Sequence, residues 1–168
     1  QEPVGLSATQ LATAMGARVI ALDVGKERLS RAKEFGAEVL IDPSVDDPVE
    51  AIRELTSGEG SELSLDCSAA SEARQAAVRC VKVWGRACYV GVGGEVTLEV
   101  STDMNRRQVT LMGSWTFSTP LQAECAQFVI DHAIDVDKLF THRYALEEAE
   151  AGYQLFDTQT TGKGVFEF

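Results

Sequence analysis

The feature that most restricts this chain is an alternation of short apolar runs with helical periods over its first two-thirds. RVIALD (18–23), AEVLID (37–42), LSLDCS (63–68) and GRACYVGV (85–92) read as strands. Between them, GKERLSRAKEFG (25–36) sets Leu29, Ala32 and Phe35 on one side of a helix and stops at Gly36. DDPVEAIRELTSG (46–58) opens on acids and a proline, as a helix start does, and SEARQAAVRCVK (71–82) is helical in pattern. VGLSATQLATAMG (4–16) is a further helix ahead of the first run. Strands joined through helices lie parallel, so the pattern predicts an α/β chain: a doubly wound parallel sheet with helices on both faces.

The pattern then changes. EVTLEV (95–100) alternates as an exposed strand would, and RRQVTLMGSW (106–115) predicts a last strand at a sheet edge, with RRQ as a turn near a bound ligand. Past Pro120 come a helix over 121–133, the stretch DKLFTHRYAL (137–146), a helix over 147–159 and a closing strand in GKGVFEF. The expected division is a main domain over 1–115 and a C-terminal helix–strand segment over 116–168.

A net charge of −11 argues against nucleic acid and against anionic membrane surfaces as partners. No apolar run approaches the length of about 18 residues that spans a bilayer. Cys67, Cys80, Cys88 and Cys125 form no C-x-x-C pair, and His132 and His142 lie far from them in sequence. This spacing speaks for reduced thiols in a cytoplasmic protein and against a metal site built from this chain.

The opening QEPVG carries the binding chemistry. A helix N-terminus offers free N–H groups and a partial positive charge, which suit a pyrophosphate. Pro3 fits the first helical turn, and Gly5 stands where a dinucleotide turn has its last glycine. Asp23, 18 residues after Gly5, ends the first strand pattern. A carboxylate there accepts hydrogen bonds from ribose hydroxyls and repels a 2′-phosphate, which favours NAD over NADP; its other reading is a helix cap. Arg28 stands beside the same ribose, or is a solvated helix charge. Glu2 occupies the place of the second glycine. A carboxylate about 5 Å from a phosphate at an effective dielectric near 20 costs roughly 3 kcal/mol, which is about a hundredfold in affinity. Two other readings stay open: Glu2 turns to solvent and favours the helix N-terminus, or it sits in the anion position as a phosphate mimic.

The stretch from Pro3 to Asp42 resembles the cofactor domain of zinc-dependent medium-chain alcohol and polyol dehydrogenases, as do LDCSAA, WGRACYVGVGG, RRQVTLMGSW and TTGKGVFEF. The resemblance implies a Rossmann-like dinucleotide-binding domain whose first strand lies ahead of Gln1, so residues preceding Gln1 are expected to complete it. It implies Pro3 and Val4 beside the pyrophosphate, Asp23 on the adenosine ribose, and Val24 and Cys67 about the adenine. Val90, Gly91 and Val92 would lie under the nicotinamide, with its carboxamide read by backbone groups of Val90, Ser114 and Thr116. Lys163 would approach the pyrophosphate, with a surface lysine as its other reading. For the apolar members the other reading is core packing. The implied activity is transfer of a hydride from an alcohol or polyol to NAD. Zinc assists in the intact enzyme but is not held by this chain, which supplies no catalytic residue and is expected to be inactive alone. The competing reading is a non-catalytic nucleotide-binding or protein-interaction domain. The uncharged, β-branched strand near 109–113 predicts a homo-oligomer paired along that edge.

Overall fold

A computed structural model describes residues 1–158 and 162–168. The element order is α1 (Pro3–Ala14), β1 (Ile20–Leu22), α2 (Lys26–Glu34), β2 (Val39–Ile41), α3 (Pro48–Leu55), β3 (Ser61–Asp66), α4 (Ser71–Arg79) and β4 (Val81–Tyr89). Then follow β5 (Thr110–Gly113), α5 (Thr119–Asp131), β6 (His142–Ala145), α6 (Ala149–Asp157) and β7 (Gly164–Glu167). Among the described residues the strands form three hydrogen-bonded sheets, ordered β1-β2, β3-β4-β5 and β6-β7. The chain folds as two compact units, Gln1–Ala21 with Gly25–Leu40 and Thr119–Phe168, and Leu22–Val24 with Ile41–Ser118.

In the first unit, Leu6 of α1 packs with Ala21, Ala32, Phe35 and Ala37, and Val19, Leu40 and Leu139 close around them. Full burial of a leucine such as Leu6 contributes about 2 kcal/mol. The alanines let backbones approach, and Gly36 follows α2 at φ +107, where a Cβ would press into Thr13. Thr13 Oγ1 donates to Gly36 O at 3.2 Å instead. Side chains tie this core to the later chain: Gln10 Nε2 donates to Asp135 O at 2.9 Å, and Arg31 Nη2 to Lys138 O at 3.0 Å. Beyond, β6 and β7 pair in parallel with His142 opposite Gly164, and α6 makes the crossover that parallel pairing requires. Gly152 lets α6 sit against the rings of Tyr144 and Phe166.

In the second unit β4 is the middle strand, parallel to both neighbours. Asp66, Tyr89 and Gly113 stand level, so the three strands finish together. Helix α4 sends Ala77 and Val78 into a core with Val81 and Ala87. Asp47 caps α3 by accepting from Val49 N at 2.8 Å and Glu50 N at 3.1 Å, with Pro48 in the first turn. On the other sheet face Leu63, Leu65 and Met112 remain exposed. Near its start β4 bulges: Ser61 faces Val81 while Leu63 faces Arg86, and Trp84 takes a left-handed φ of 65° within the extra length.

Three expectations are corrected here. The helix over 71–82 ends at Arg79, where Cys80 N donates to Ala76 O, and Val81 to Trp84 already belong to β4. Val81 is fully buried at the strand start, so pairing prevailed over helical continuation. EVTLEV forms no strand. Val96 and Leu98 are half-buried between exposed neighbours, so the alternation reflects packing without a ladder partner. Gln75 Nε2 takes the Thr97 carbonyl at 2.8 Å. RRQ is a tight turn in which Arg107 donates to Val78 O and Val81 O, at the opposite end of β4 from Val90. In addition, the stretch 137–146 contains a strand, β6, and the last helix is described to Asp157; Gln159 lies outside the described residues.

Asp103 holds the turn after Val100 by accepting from Arg79 Nε and Nη2, each at 3.1 Å, and from Glu99 N at 2.9 Å. The bond from Arg79 is the main reason its carboxyl sits below its ordinary value of 3.8. A carboxyl lowered on folding stabilises above its unfolded value and loses that contribution as pH falls through the folded one. Asp103→Asn is expected to cost about 1 kcal/mol near neutral pH, discounted for the partial exposure of Arg79. Urea titrations should show that gap closing on the acid side of pH 3.8; a gap constant with pH would contradict the assignment.

Candidate functional site

Parallel strands present their carboxyl ends, and the loops that follow them, to one side of a sheet, where ligands of open α/β sheets bind. In the second unit three such loops emerge together: Cys67–Ala70 after β3, Val90–Gly94 after β4, and Ser114–Thr116 after β5. Val90 N and Gly91 N both donate to Asp66 O, at 2.8 and 3.1 Å, and Ser114 N donates to Tyr89 O at 2.9 Å. The structure therefore brings together Cys67, Val90, Gly91, Val92 and Ser114, and Thr116 follows on the same loop at a left-handed φ of 51°. Val92 and Ser114 are exposed, while Cys67, Val90 and Gly91 are half-buried. Burial, then the charge of Asp66, pushes the Cys67 thiol up, which disfavours its thiolate form.

The loops are held by a buried acid. Asp66 Oδ1 accepts from Ser68 N at 3.0 Å and Ser68 Oγ at 2.8 Å, and Oδ2 accepts from Ala69 N at 3.2 Å. Arg74 Nε lies 3.4 Å from Asp66 Oδ2, and Arg74 Nη2 donates to Gly91 O at 2.8 Å. The Arg74 guanidinium also stands 5.3 Å from the centre of the Tyr89 ring, and Tyr89 Oη donates to Arg74 O at 2.9 Å. Burial, then Asp66, raises the Tyr89 phenol. Sequence reading passed over Asp66, Arg74 and Tyr89. The available signal was an arginine at helical spacing from Ala77 and Val78, on the face of α4 that enters the core.

Also in the second unit, Asp23 is half-buried just past β1, where its N–H donates to Ile41 O at 3.3 Å, and Val24 is exposed. Pro3, Val4, Gly5, Arg28 and Lys163 belong to the first unit. Gly5 is buried in the first turn of α1, Pro3 is half-buried and Val4 is exposed. Glu2 is the exposed N-cap, and its side chain accepts no hydrogen bond from that turn. Its carboxylate thus does not fill the anion position of its own helix, which disfavours the phosphate-mimic reading. The Arg28 guanidinium folds back over Gly25, within 2.9–3.1 Å of where a Cβ would stand. Lys163 is exposed, and its backbone is pinned by Thr141 N donating to Lys163 O at 2.8 Å.

Gly91 offers a direct test of fit. A Cβ there would collide with Ala69 N and lie 3.1 Å from Asp66 Oδ2, so only glycine lets the two loops close on each other. The donor set for a metal is different: among the described residues no group of three His, Cys, Asp or Glu side chains could hold one. No helix among them is long and apolar enough to cross a membrane.

Residues 3–134 match the zinc-binding dehydrogenase family. The uncharacterized zinc-type alcohol dehydrogenase-like protein YphC of Escherichia coli is 36% identical over an alignment that covers 99% of this chain and 47% of that protein. The L-threonine 3-dehydrogenase of Bacillus subtilis is 31% identical over 96% of this chain and 47% of its own length. Among solved structures, the alcohol dehydrogenase TADH from Thermus sp. ATN1 superposes with a TM-score of 0.87 at 27% identity, over 98% of this chain and 48% of that one. The chain spans about half the length of the curated relatives it matches.

Gly91→Ala should force the Val90–Gly94 and Cys67–Ala70 loops apart. The expected cost is about 1–3 kcal/mol, as for overpacking of a tight contact, read by chemical denaturation. Hydrogen exchange at the Ala69 amide should rise with it; an unchanged amide and midpoint would show that the loops have room to spare.

Proposed function

The chain belongs to the zinc-binding dehydrogenase family, and on that premise we propose that it forms the NAD-binding part of an oxidoreductase acting on an alcohol or polyol. The observation that carries this reading is the level finish of β3, β4 and β5 at Asp66, Tyr89 and Gly113, with glycine-dependent loops beyond it. NAD, when bound, supplies a nicotinamide ring that accepts a hydride. In this reading Val90, Gly91 and Val92 form the floor under that ring, and backbone groups of Val90, Ser114 and Thr116 read its carboxamide. Cys67 and Val24 flank the adenine. Asp23, with Arg28, takes the adenosine ribose, and Pro3, Val4, Gly5 and Lys163 serve the pyrophosphate. These residues bind and orient; none of them moves the alcohol proton. No step is assigned to zinc, because the described residues offer no donor set for it.

The alcohol class is supported by the names of the relatives, which include a sorbitol dehydrogenase of Homo sapiens, 29% identical over 92% of this chain. Four free cysteines support a reducing, cytoplasmic setting for the protein. The reading also places self-association on β5, the outer strand of its sheet among the described residues. Light scattering is expected to find a dimer or larger, reduced toward monomer by Leu111→Lys; a monomeric parent protein would remove this element of the proposal.

Calorimetry tests the binding reading. NAD should bind more tightly than NADP, and Asp23→Ser should erase that preference by removing both the ribose acceptor and the repulsion of a 2′-phosphate. Glu2→Gly should tighten NAD by up to about a hundredfold if the carboxylate acts on the phosphates across about 5 Å. Equal affinities for the parent and Glu2→Gly would mean that Glu2 faces solvent. Absence of NAD binding in both would sink the cofactor reading.

A further inference from the structure

We propose that Arg74 is a positioning residue for the nicotinamide half of the site, acting through the Gly91 carbonyl. The proposal rests on the NAD reading above and goes beyond it, because Arg74 touches none of the proposed ligand contacts except through the backbone it holds.

Three observations single Arg74 out. It is buried, at 8% exposure, although it lies in the first turns of α4, where the helix dipole disfavours a cation. A buried ion pair is often replaceable by apolar side chains of similar volume at little loss of stability, so burial of the Arg74–Asp66 pair is not explained by stability alone. The guanidinium is also not placed for its best contact with Asp66. Its Nε is buried with no hydrogen-bond partner, 3.4 Å from Asp66 Oδ2, while Nη2 makes a 2.8 Å bond to Gly91 O. The geometry toward the acid is relaxed and the geometry toward the loop is tight.

That bond fixes the peptide plane between Gly91 and Val92. The preceding amides are fixed from the other side, since Val90 N and Gly91 N both donate to Asp66 O. The floor from Val90 to Val92 is therefore held at both ends by one Asp–Arg unit. Cys67, by contrast, directly continues β3, and the Cys67–Ala70 loop takes its bonds from Asp66 itself through Ser68 and Ala69. Loss of Arg74 should release the floor under the nicotinamide and leave the adenine side in place.

The test compares NADH with ADP-ribose, which carries every part of the dinucleotide except the nicotinamide. Arg74→Met removes the guanidinium at similar length. Arg74→Lys keeps the charge beside Asp66, yet a single ammonium cannot span Asp66, Gly91 O and the Tyr89 ring together. Both variants are expected to bind ADP-ribose within about twofold of the parent protein and NADH about tenfold more weakly, the effect of losing one charge-assisted bond. The emission of bound NADH, which reports the surroundings of the nicotinamide, should move toward that of the free cofactor. Equal weakening of both ligands, unchanged NADH binding, or loss of the folded state in both variants would overturn the proposal, the last by showing a purely structural role. A parent protein that binds neither ligand would overturn the cofactor reading itself, and this inference with it.

Discussion

The Asp66 carboxylate is the point on which the second unit turns. It is almost wholly buried at a strand end, where Ser68 and Ala69 donate to it and the Arg74 guanidinium stands 3.4 Å away as its counter-charge. Water removed from a carboxylate must be replaced by such donors, or the charge is too costly to keep. The donors to its carboxylate belong to the loop after β3, its counter-charge comes from α4, and the main-chain oxygen of the same residue recruits the loop after β4. One residue thereby joins the loops after β3 and β4 into one rim, to which the loop after β5 is tied by Ser114 N donating to Tyr89 O.

In the proposed NAD-binding reading, this rim gives a strongly acidic protein a surface for an anionic ligand. The global charge of −11 opposes a dinucleotide at long range, but salt screens that repulsion within about 8–10 Å. Close in, the field is set by oriented groups. The buried acid is matched by the buried guanidinium, so the rim presents peptide dipoles and apolar side chains instead of a net negative charge.

Much of this was legible in the sequence. Helical spacing placed α1 to α6 to within a few residues, and the alternation of patterns identified the parallel class, because both rest on periodicity that burial imposes directly. The loops after β3, β4 and β5 could be named because glycines and strand ends mark them. Other features escaped for physical reasons. EVTLEV has a strand's alternation but no neighbouring edge to pair with. The start of β4 lay hidden in a helical pattern, since Val81 and Val83 suit either element until a neighbouring strand decides. Arg74 escaped because an arginine in a helix is read as solvated, and only the fold reveals the acid it meets. RRQ reads as a turn near the ligand, whereas Arg107 binds the far end of β4.

The bulge in β4 has a bearing on how the second unit assembles. Both neighbours pair with β4, across chain separations of about twenty residues, so loop closure penalises the two pairings similarly and neither can form before β4 is extended. Trp84 interrupts that strand with a left-handed residue close to its start. The regular ladder with β3 runs only from Arg86 to Tyr89, which is also the length that pairs with β5. A four-residue stretch of β4 thus carries the regular pairing of the whole sheet, and it ends level with the strand ends that carry the rim. The sheet is therefore most regular at the end that carries the loops, and the bulge confines its irregularity to the opposite end.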